Sequence, residues 1–377
     1  MSRAALTFGL ALVLGAAPIE ALRASRLNPH LDPGIVLAGC PACHEGHGVP
    51  RSPMLPAVQK GLCLTCHGTK GSLDQMVAGG AVSVDARPPL LATTLGLPSV
   101  HPIDNGVFSA SDRLAVTCSS CHSPHRSMPA DRQGPRPAGR RLPSPRDPNE
   151  AEFELCESCH GNGGATTQSR TDISRLFDPN NRSYHPVEAP ARESSPSVLS
   201  PLSGREINCT DCHGNDDPAG RRGPHGSRVA PLLGFRYVKS DDAAESPDTY
   251  ALCYDCHDRN RLLSGSLFPE HGEHITDVKA SCSTCHNPHG SVPHRALIRF
   301  GEDTTSTGVS VSSSTGRLDF VSEEPGSGSC WLSCHGVDHG PKSYGIGAGS
   351  SRRTGIRRLF PGREGRRTAP ADSLPAK

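Results

Sequence analysis

The sequence predicts a mostly irregular, elongated chain with short α-helices and little β-structure, whose interior is not built from side chains. Three observations predict this. Of 377 residues, 34% are hydrophobic and 4% aromatic, less than a core of this size normally takes. The 40 glycines and 35 prolines favour turns and extended coil over long helices or broad sheets. Sixteen cysteines are present, and they fall into close pairs with none left over. The 39 Lys and Arg balance 38 Asp and Glu, so net charge gives no footprint for nucleic acid.

Residues 1–24, MSRAALTFGLALVLGAAPIEALRA, carry one arginine near the start, an apolar run and a small-residue end. This reads as an export signal, since the apolar run is shorter than the ~20 residues that span a bilayer. Residues 25–130 follow with three cysteine pairs: Cys40/Cys43, Cys63/Cys66 and Cys118/Cys121. A proline-rich linker, 131–150, separates them from residues 151–230, which hold Cys156/Cys159 and Cys209/Cys212. Residues 187–204 are likewise rich in proline and polar residues. The third region, 231–345, holds Cys253/Cys256, Cys282/Cys285 and Cys330/Cys334. Two short runs there, ALIRF and RLDFV, are expected to pair as a small sheet. Residues 346–377 form a strongly basic tail, expected to be disordered.

A histidine follows the second cysteine of every pair: His44, His67, His122, His160, His213, His257, His286 and His335. With 19 histidines in the chain, eight at one fixed offset are not chance. Disulfides suit an exported chain but have no use for these histidines. Four-cysteine zinc fits Cys40/Cys43 with Cys63/Cys66 but also leaves them unused. Covalent haem uses all three positions, with two thioether bonds from the cysteines and the adjacent imidazole on the iron. The expectation is eight covalently attached haems c, whose porphyrins replace the missing core, so the chain without them is largely unfolded. The last motif, CWLSCH, has three residues between its cysteines where the others have two.

Eleven histidines remain for the far side of the irons, against three non-initiator methionines, which favours bis-histidine ligation and low potentials. Nine are candidates: His47, His101, His125, His185, His225, His271, His274, His289 and His339. His47, His125 and His289 each lie three residues past a proximal histidine and are expected to reach a neighbouring haem. His101 and His185 each precede a proline that holds them extended. His30 and His294 rank below the nine. A repeating unit emerges of a leading CxxCH, a histidine between motifs, and a second CxxCH with a trailing histidine: Cys63 to His125, Cys156 to His225, and Cys253 to His289.

These contexts resemble the doubled-CxxCH family of multihaem c-type cytochromes, related to low-potential tetrahaem cytochromes. The similarity is closest from Cys253 to Tyr344, through CYDCH, FPEHGEH, CSTCHNPHGS, LIRF and CHGVDHGPKSY. It implies a haem-cored electron carrier of anaerobic respiration in the periplasm or at the cell surface, with redox partner proteins or an extracellular acceptor. The chain departs from small tetrahaem members in haem number, long linkers and the basic tail. One alternative is an octahaem enzyme reducing a nitrogen or sulfur oxyanion at an iron with an open sixth position. Another is self-association into a haem filament, with an unmatched histidine such as His30 or His339 donated to a neighbouring subunit.

Overall fold

The computed structural model describes residues 28–49, 52–103, 116–125, 151–161, 172–193, 195–217, 223–300, 308–322 and 324–345. The expected signal segment, the 131–150 linker and the basic tail lie outside the described residues. The rest is mostly turn and coil, as expected. Its longest helices, Gln59–His67, Lys70–Ala78 and Glu152–His160, have nine residues each.

Seven of the eight cysteine motifs wind into a single helical turn. Residues i, i+3 and i+4 share one face of such a turn, so two thiols and an imidazole point the same way. The histidine N–H donates to the first cysteine's carbonyl in each motif, for example His44 to Cys40 and His286 to Cys282 at 2.9 Å. Capping starts several of these turns. The side chains of Glu154, Ser120 and Asp211 accept from the backbone N–H three residues earlier, at 2.7–3.0 Å.

Motifs then pair as the repeat predicts. The sulfurs of Cys63 and Cys118, of Cys156 and Cys209, and of Cys253 and Cys282 lie in hydrogen-bond contact. Polar clasps hold the first two units. Gln59 Oε1 accepts from Ser119 N at 2.9 Å, and Glu152 Oε1 accepts from Thr210 N at 2.9 Å. In the third unit Asp241 Oδ1 accepts from Ser281 N at 2.9 Å and Thr284 Oγ1 at 2.5 Å.

Two-residue antiparallel strands recur, and two of the three pairs join the units. β1 (Gly48–Val49) pairs with β2 (Ser52–Pro53), β3 (Ser99–Val100) with β5 (Gly226–Ser227), and β4 (Ser183–Tyr184) with β6 (Gly290–Ser291). Ser227 and Ser291 are fully buried and donate to the Leu233 and Ile298 carbonyls, both at 2.7 Å. A larger sheet forms near the last motif: β9 (Gly328–Cys334) pairs antiparallel with β7 (Val309–Ser310), β8 (Asp319–Val321) and β10 (Val337–Tyr344). The expected pairing of ALIRF with RLDFV is corrected here. Ala296 and Leu297 have φ of 53° and 57°, which interrupts any strand, and the other run gives β8, whose partner is β9.

Buried apolar side chains such as Val82, Leu155, Phe177, Leu233, Tyr250 and Phe320 are spread along the chain, and among the described residues as many buried ones are polar or charged. Such an interior is too sparse to hold the fold by apolar burial. Produced in a compartment that attaches no haem, the chain should show no cooperative thermal transition by circular dichroism, and a sharp transition there would contradict a haem-dependent core.

Candidate haem sites

The histidines meet in pairs across a constant gap. Ring centroids are 5.8 Å apart for His30 and His67, 6.0 Å for His44 and His125, and 6.3 Å for His101 and His160. The spacings are 5.8 Å for His122 and His225, 6.3 Å for His185 and His257, and 6.4 Å for His213 and His289. His271 and His286 stand 6.3 Å apart, as do His274 and His339. A metal bound to two imidazole nitrogens at about 2 Å each, with ring centres about 1.1 Å behind those nitrogens, sets centroids about 6.2 Å apart. The gaps fit one iron each.

The ring nitrogens are arranged for this chemistry. Nδ1 of His67, His213 and His286 faces the carbonyls of Pro89, Pro231 and Ala296 at 3.1, 3.0 and 2.8 Å. His257 Nδ1 lies 2.7 Å from Ser197 Oγ. Such partners fix the tautomer and leave Nε2 for the metal. Burial, reinforced by neighbouring histidines, pushes His122, His257 and His271 down to about 4, which keeps the imidazoles in the neutral, ligating form.

None of the sixteen cysteines forms a disulfide, and among the described residues no group of three or more His, Cys, Asp or Glu could hold a bare metal ion. The thiols are thus available for thioether bonds. Within the paired units the two cysteines of a motif are placed differently. The leading ones, Cys63, Cys118, Cys156, Cys209, Cys253 and Cys282, bring their sulfurs together across the unit. The following ones close their turns. Cys121 and Cys212 end the helical turns Cys118–Cys121 and Cys209–Cys212, and Cys159 lies in the last turn of Glu152–His160. Cys256 lies just past Ala251–Tyr254, its N–H donating to the Cys253 carbonyl at 3.2 Å. Cys121, Cys159, Cys212 and Cys256 are all half-buried. Neighbouring segments grip two of them by the backbone: the Cys212 carbonyl accepts from Gly234 N at 2.8 Å and the Cys256 carbonyl from Leu199 N at 2.9 Å. In the other direction, Cys159 Sγ accepts from Ser158 Oγ and Cys256 Sγ donates to Asp255 Oδ2, both at 3.9 Å. Contacts this long give way readily to a thioether.

Each of seven histidine pairs joins a proximal histidine of the sequence pattern to one from elsewhere. His101, His125, His185, His225, His271 and His289 occupy such positions, as the local contexts suggested. Three departures stand out. His47 is exposed, with no imidazole opposite it among the described residues, and its backbone carbonyl is taken up by Met54 N in the β1–β2 turn. His30, ranked below the nine, faces His67 instead. His335, expected at the eighth iron, faces no imidazole; its Nε2 lies 3.4 Å from Asp241 Oδ2, and His274 meets His339. His294 sits beside Asp319 and Phe320.

The pairs come together at a recurring joint. His101 Nδ1 faces the Pro224 carbonyl at 2.8 Å, and His185 Nδ1 faces that of Pro288. Near His30, Asn28 Nδ2 donates to the Pro124 carbonyl at 2.5 Å. In all three the acceptor is the proline just before a trailing histidine, His225, His289 or His125. The β3–β5 and β4–β6 ladders fix the first two. Gln59, Glu152 and Asp241, which clasp the motifs, escaped the sequence reading. A signal existed for two: Gln59 and Glu152 both lie four residues before the first cysteine of a leading motif, and their partners one residue after the first cysteine of a trailing motif.

Neighbouring sites are contiguous. Cys66 acts electrostatically on Cys43, and Cys330 and Cys334 act on Cys285, so the first and second sites adjoin, as do the seventh and eighth. Sulfur contacts join the second to the third, the fourth to the fifth and the sixth to the seventh. The two strand ladders join the third to the fourth and the fifth to the sixth.

Residues 34–72 match the doubled CXXCH motif family, and residues 116–297 match the family described as outer membrane cytochrome MtrC/MtrF-like, domains II/IV. The chain is 27% identical over 210 residues to the multiheme cytochrome MtrA of Shewanella baltica (strain OS185), covering 53% of this chain and 43% of that protein's length. No solved structure matches. Over these residues the chain is similar to multihaem cytochromes, and the doubled CXXCH match supports covalently bound haem c.

The two joints built on strand ladders tolerate no side chain after the trailing histidine. A Cβ on Gly226 would collide with the Thr94 carbonyl, and one on Gly290 with that of Leu176, whereas one on Gly96 meets nothing within 4 Å. In the haem-loaded protein, Gly226→Ala and Gly290→Ala should each cost about 1–3 kcal/mol in denaturant unfolding, and Gly96→Ala should leave the midpoint unchanged.

Proposed function

We propose that the chain carries electrons along a line of eight low-potential haems, each iron held between two imidazoles. The observation that carries this reading is the set of eight histidine pairs at one spacing, in contiguous sites along the chain. Imidazole on both faces closes the iron to substrate and, relative to methionine, lowers its potential. The protein's contribution is then distance, burial and ligation rather than bond-making chemistry. An oxyanion reductase would need an open sixth position, and every pair fills both.

All sixteen cysteines carry thioether bonds in this reading, with Cys121, Cys159, Cys212 and Cys256 as the second anchors of their haems. The axial pairs are His67 with His30, His44 with His125, His160 with His101, His122 with His225, His257 with His185, His213 with His289, His286 with His271, and an eighth that includes His274. The filament alternative drew on His30 and His339 as unmatched ends, and each faces a histidine of its own chain, which favours a self-contained carrier. The N-terminal apolar run supports export, to the periplasm or the outer surface. Among the described residues no helix is long and apolar enough to cross a membrane. The physiological partners are donor and acceptor redox proteins or an extracellular acceptor, in keeping with the outer-membrane and MtrA-like relatives.

Two measurements test this. Intact mass should exceed that of the bare mature chain by about 4.9 kDa for eight haems, or about 4.3 for seven. In electron paramagnetic resonance of the oxidised protein, His30→Ala should convert one haem from low-spin to high-spin while His47→Ala converts none. The opposite result would return His47 to the ligand set, and a high-spin haem in the unaltered protein would favour the enzyme.

A further inference from the structure

The geometry points to His339, not the motif histidine His335, as the iron ligand paired with His274 at the eighth site. This rests on the eight-haem reading above and assigns its one irregular member. Helical geometry explains why the usual arrangement fails there. In CxxCH the three groups span about 100° of one helical turn. With an extra residue the histidine moves to i+5, about 140° around the helix from the first cysteine and 100° from the second. A strand does no better for it, since i and i+4 share a face and i+5 lies on the other.

The chain takes the strand and finds another histidine. Cys330, Leu332 and Cys334 alternate onto one face of β9. A two-residue turn follows, His335 and Gly336 at φ 48° and 78°, the pattern of a tight β-hairpin. The register then sets His339 opposite Leu332, midway between the two cysteines and on their face. Asp338, opposite Ser333, points to the other side, where it accepts from Ser333 Oγ at 2.7 Å and Ser313 N at 2.6 Å. Two thiols on one strand and an imidazole on the next, about 4.8 Å away, thus face one way.

What lies opposite completes the set. His274 stands 6.3 Å from His339, the spacing of the other pairs, and its Nδ1 is 2.8 Å from the Glu270 carbonyl, leaving Nε2 free. Phe268 packs against both His274 and Tyr344, at 5.7 and 4.7 Å, walling the gap. His335 has the reverse arrangement. Its Nε2, the nitrogen an iron would need, faces Asp241, the carboxylate that clasps the Cys282–Cys285 turn. His335 therefore docks the hairpin on the seventh motif rather than binding iron.

Three variants of the full haem-loaded chain decide this by intact mass and by spin quantitation of the oxidised protein. His335→Gln should keep eight haems, all low-spin. His339→Ala should keep eight with one high-spin, and added imidazole should restore the low-spin signal. His339→Met, which retains a ligand, should stay low-spin with one potential raised. The assignment is overturned if His335→Gln loses a haem or turns one high-spin, or if His339→Ala stays wholly low-spin. A mass of seven haems in the unaltered chain, with Cys330 and Cys334 open to alkylation, also overturns it, while leaving a seven-haem electron carrier intact.

Discussion

One constraint organises this molecule: two imidazoles from distant parts of the chain must stand either side of one gap. The polypeptide has no broad apolar core to gather those segments, and it does so with small polar devices instead. His101 and the Pro224 carbonyl meet across 123 residues, and His185 and the Pro288 carbonyl across 103. Closing such loops is entropically cheaper than it looks, since each doubling of length adds only about 0.6 kcal/mol. Long proline-rich linkers therefore cost the fold little, provided the ends are clamped by ligation when haem is present.

The parts legible in the sequence were those encoded within one turn. CxxCH dictates a helical turn with three groups on one face, and all seven regular motifs form it. The recurrence of SVHP with GPHGS, and of SYHP with NPHGS, was visible too, but not that these become the two faces of one ladder. Two-residue strands carry no periodicity to read. Partner choice was also hidden, because it depends on which segments a joint brings together. His30 looked weak from its neighbours alone, yet the Asn28–Pro124 contact sets it where His101 and His185 stand in later units. His335 looked secure from its neighbours, yet after the longer spacer its Nε2 faces Asp241 rather than an imidazole.

The clasps show how little material orients a site. Gln59 with Ser119 and Glu152 with Thr210 repeat one offset, and each ties a leading helix to a trailing turn. Glu152 is buried to 7% exposure, and that burial raises its pKa despite two hydrogen bonds from Thr210. The carboxylate is thus held at some electrostatic cost, the pattern expected where position matters more than stability. In the third unit the offset is abandoned, and Asp241 serves both the motif turn and His335. Its carboxyl is held below the usual range by hydrogen bonds from Ser281, Thr284 and Gly308 and by His335, which together outweigh its own burial.

The pairs also obey a rule of succession. A leading motif faces a histidine from the unit before it: His67 faces His30, His160 faces His101, His257 faces His185, and the last hairpin faces His274. A trailing motif faces the trailing histidine of the unit after it: His44 faces His125, His122 faces His225, and His213 faces His289. On the proposed assignment each unit holds ligands for both neighbours, so opening one exposes gaps in two others, a nearest-neighbour coupling like that of a solenoid but made by ligation rather than stacking. Among the eight motifs the rule lapses twice. The last trailing motif has no successor, and His271, three residues before His274, closes it from within its own unit. Of the eight motifs none precedes the one that His47 trails, and His47 is exposed beside its hairpin. His47 is thus left out by the same shift by one unit that interlocks the chain.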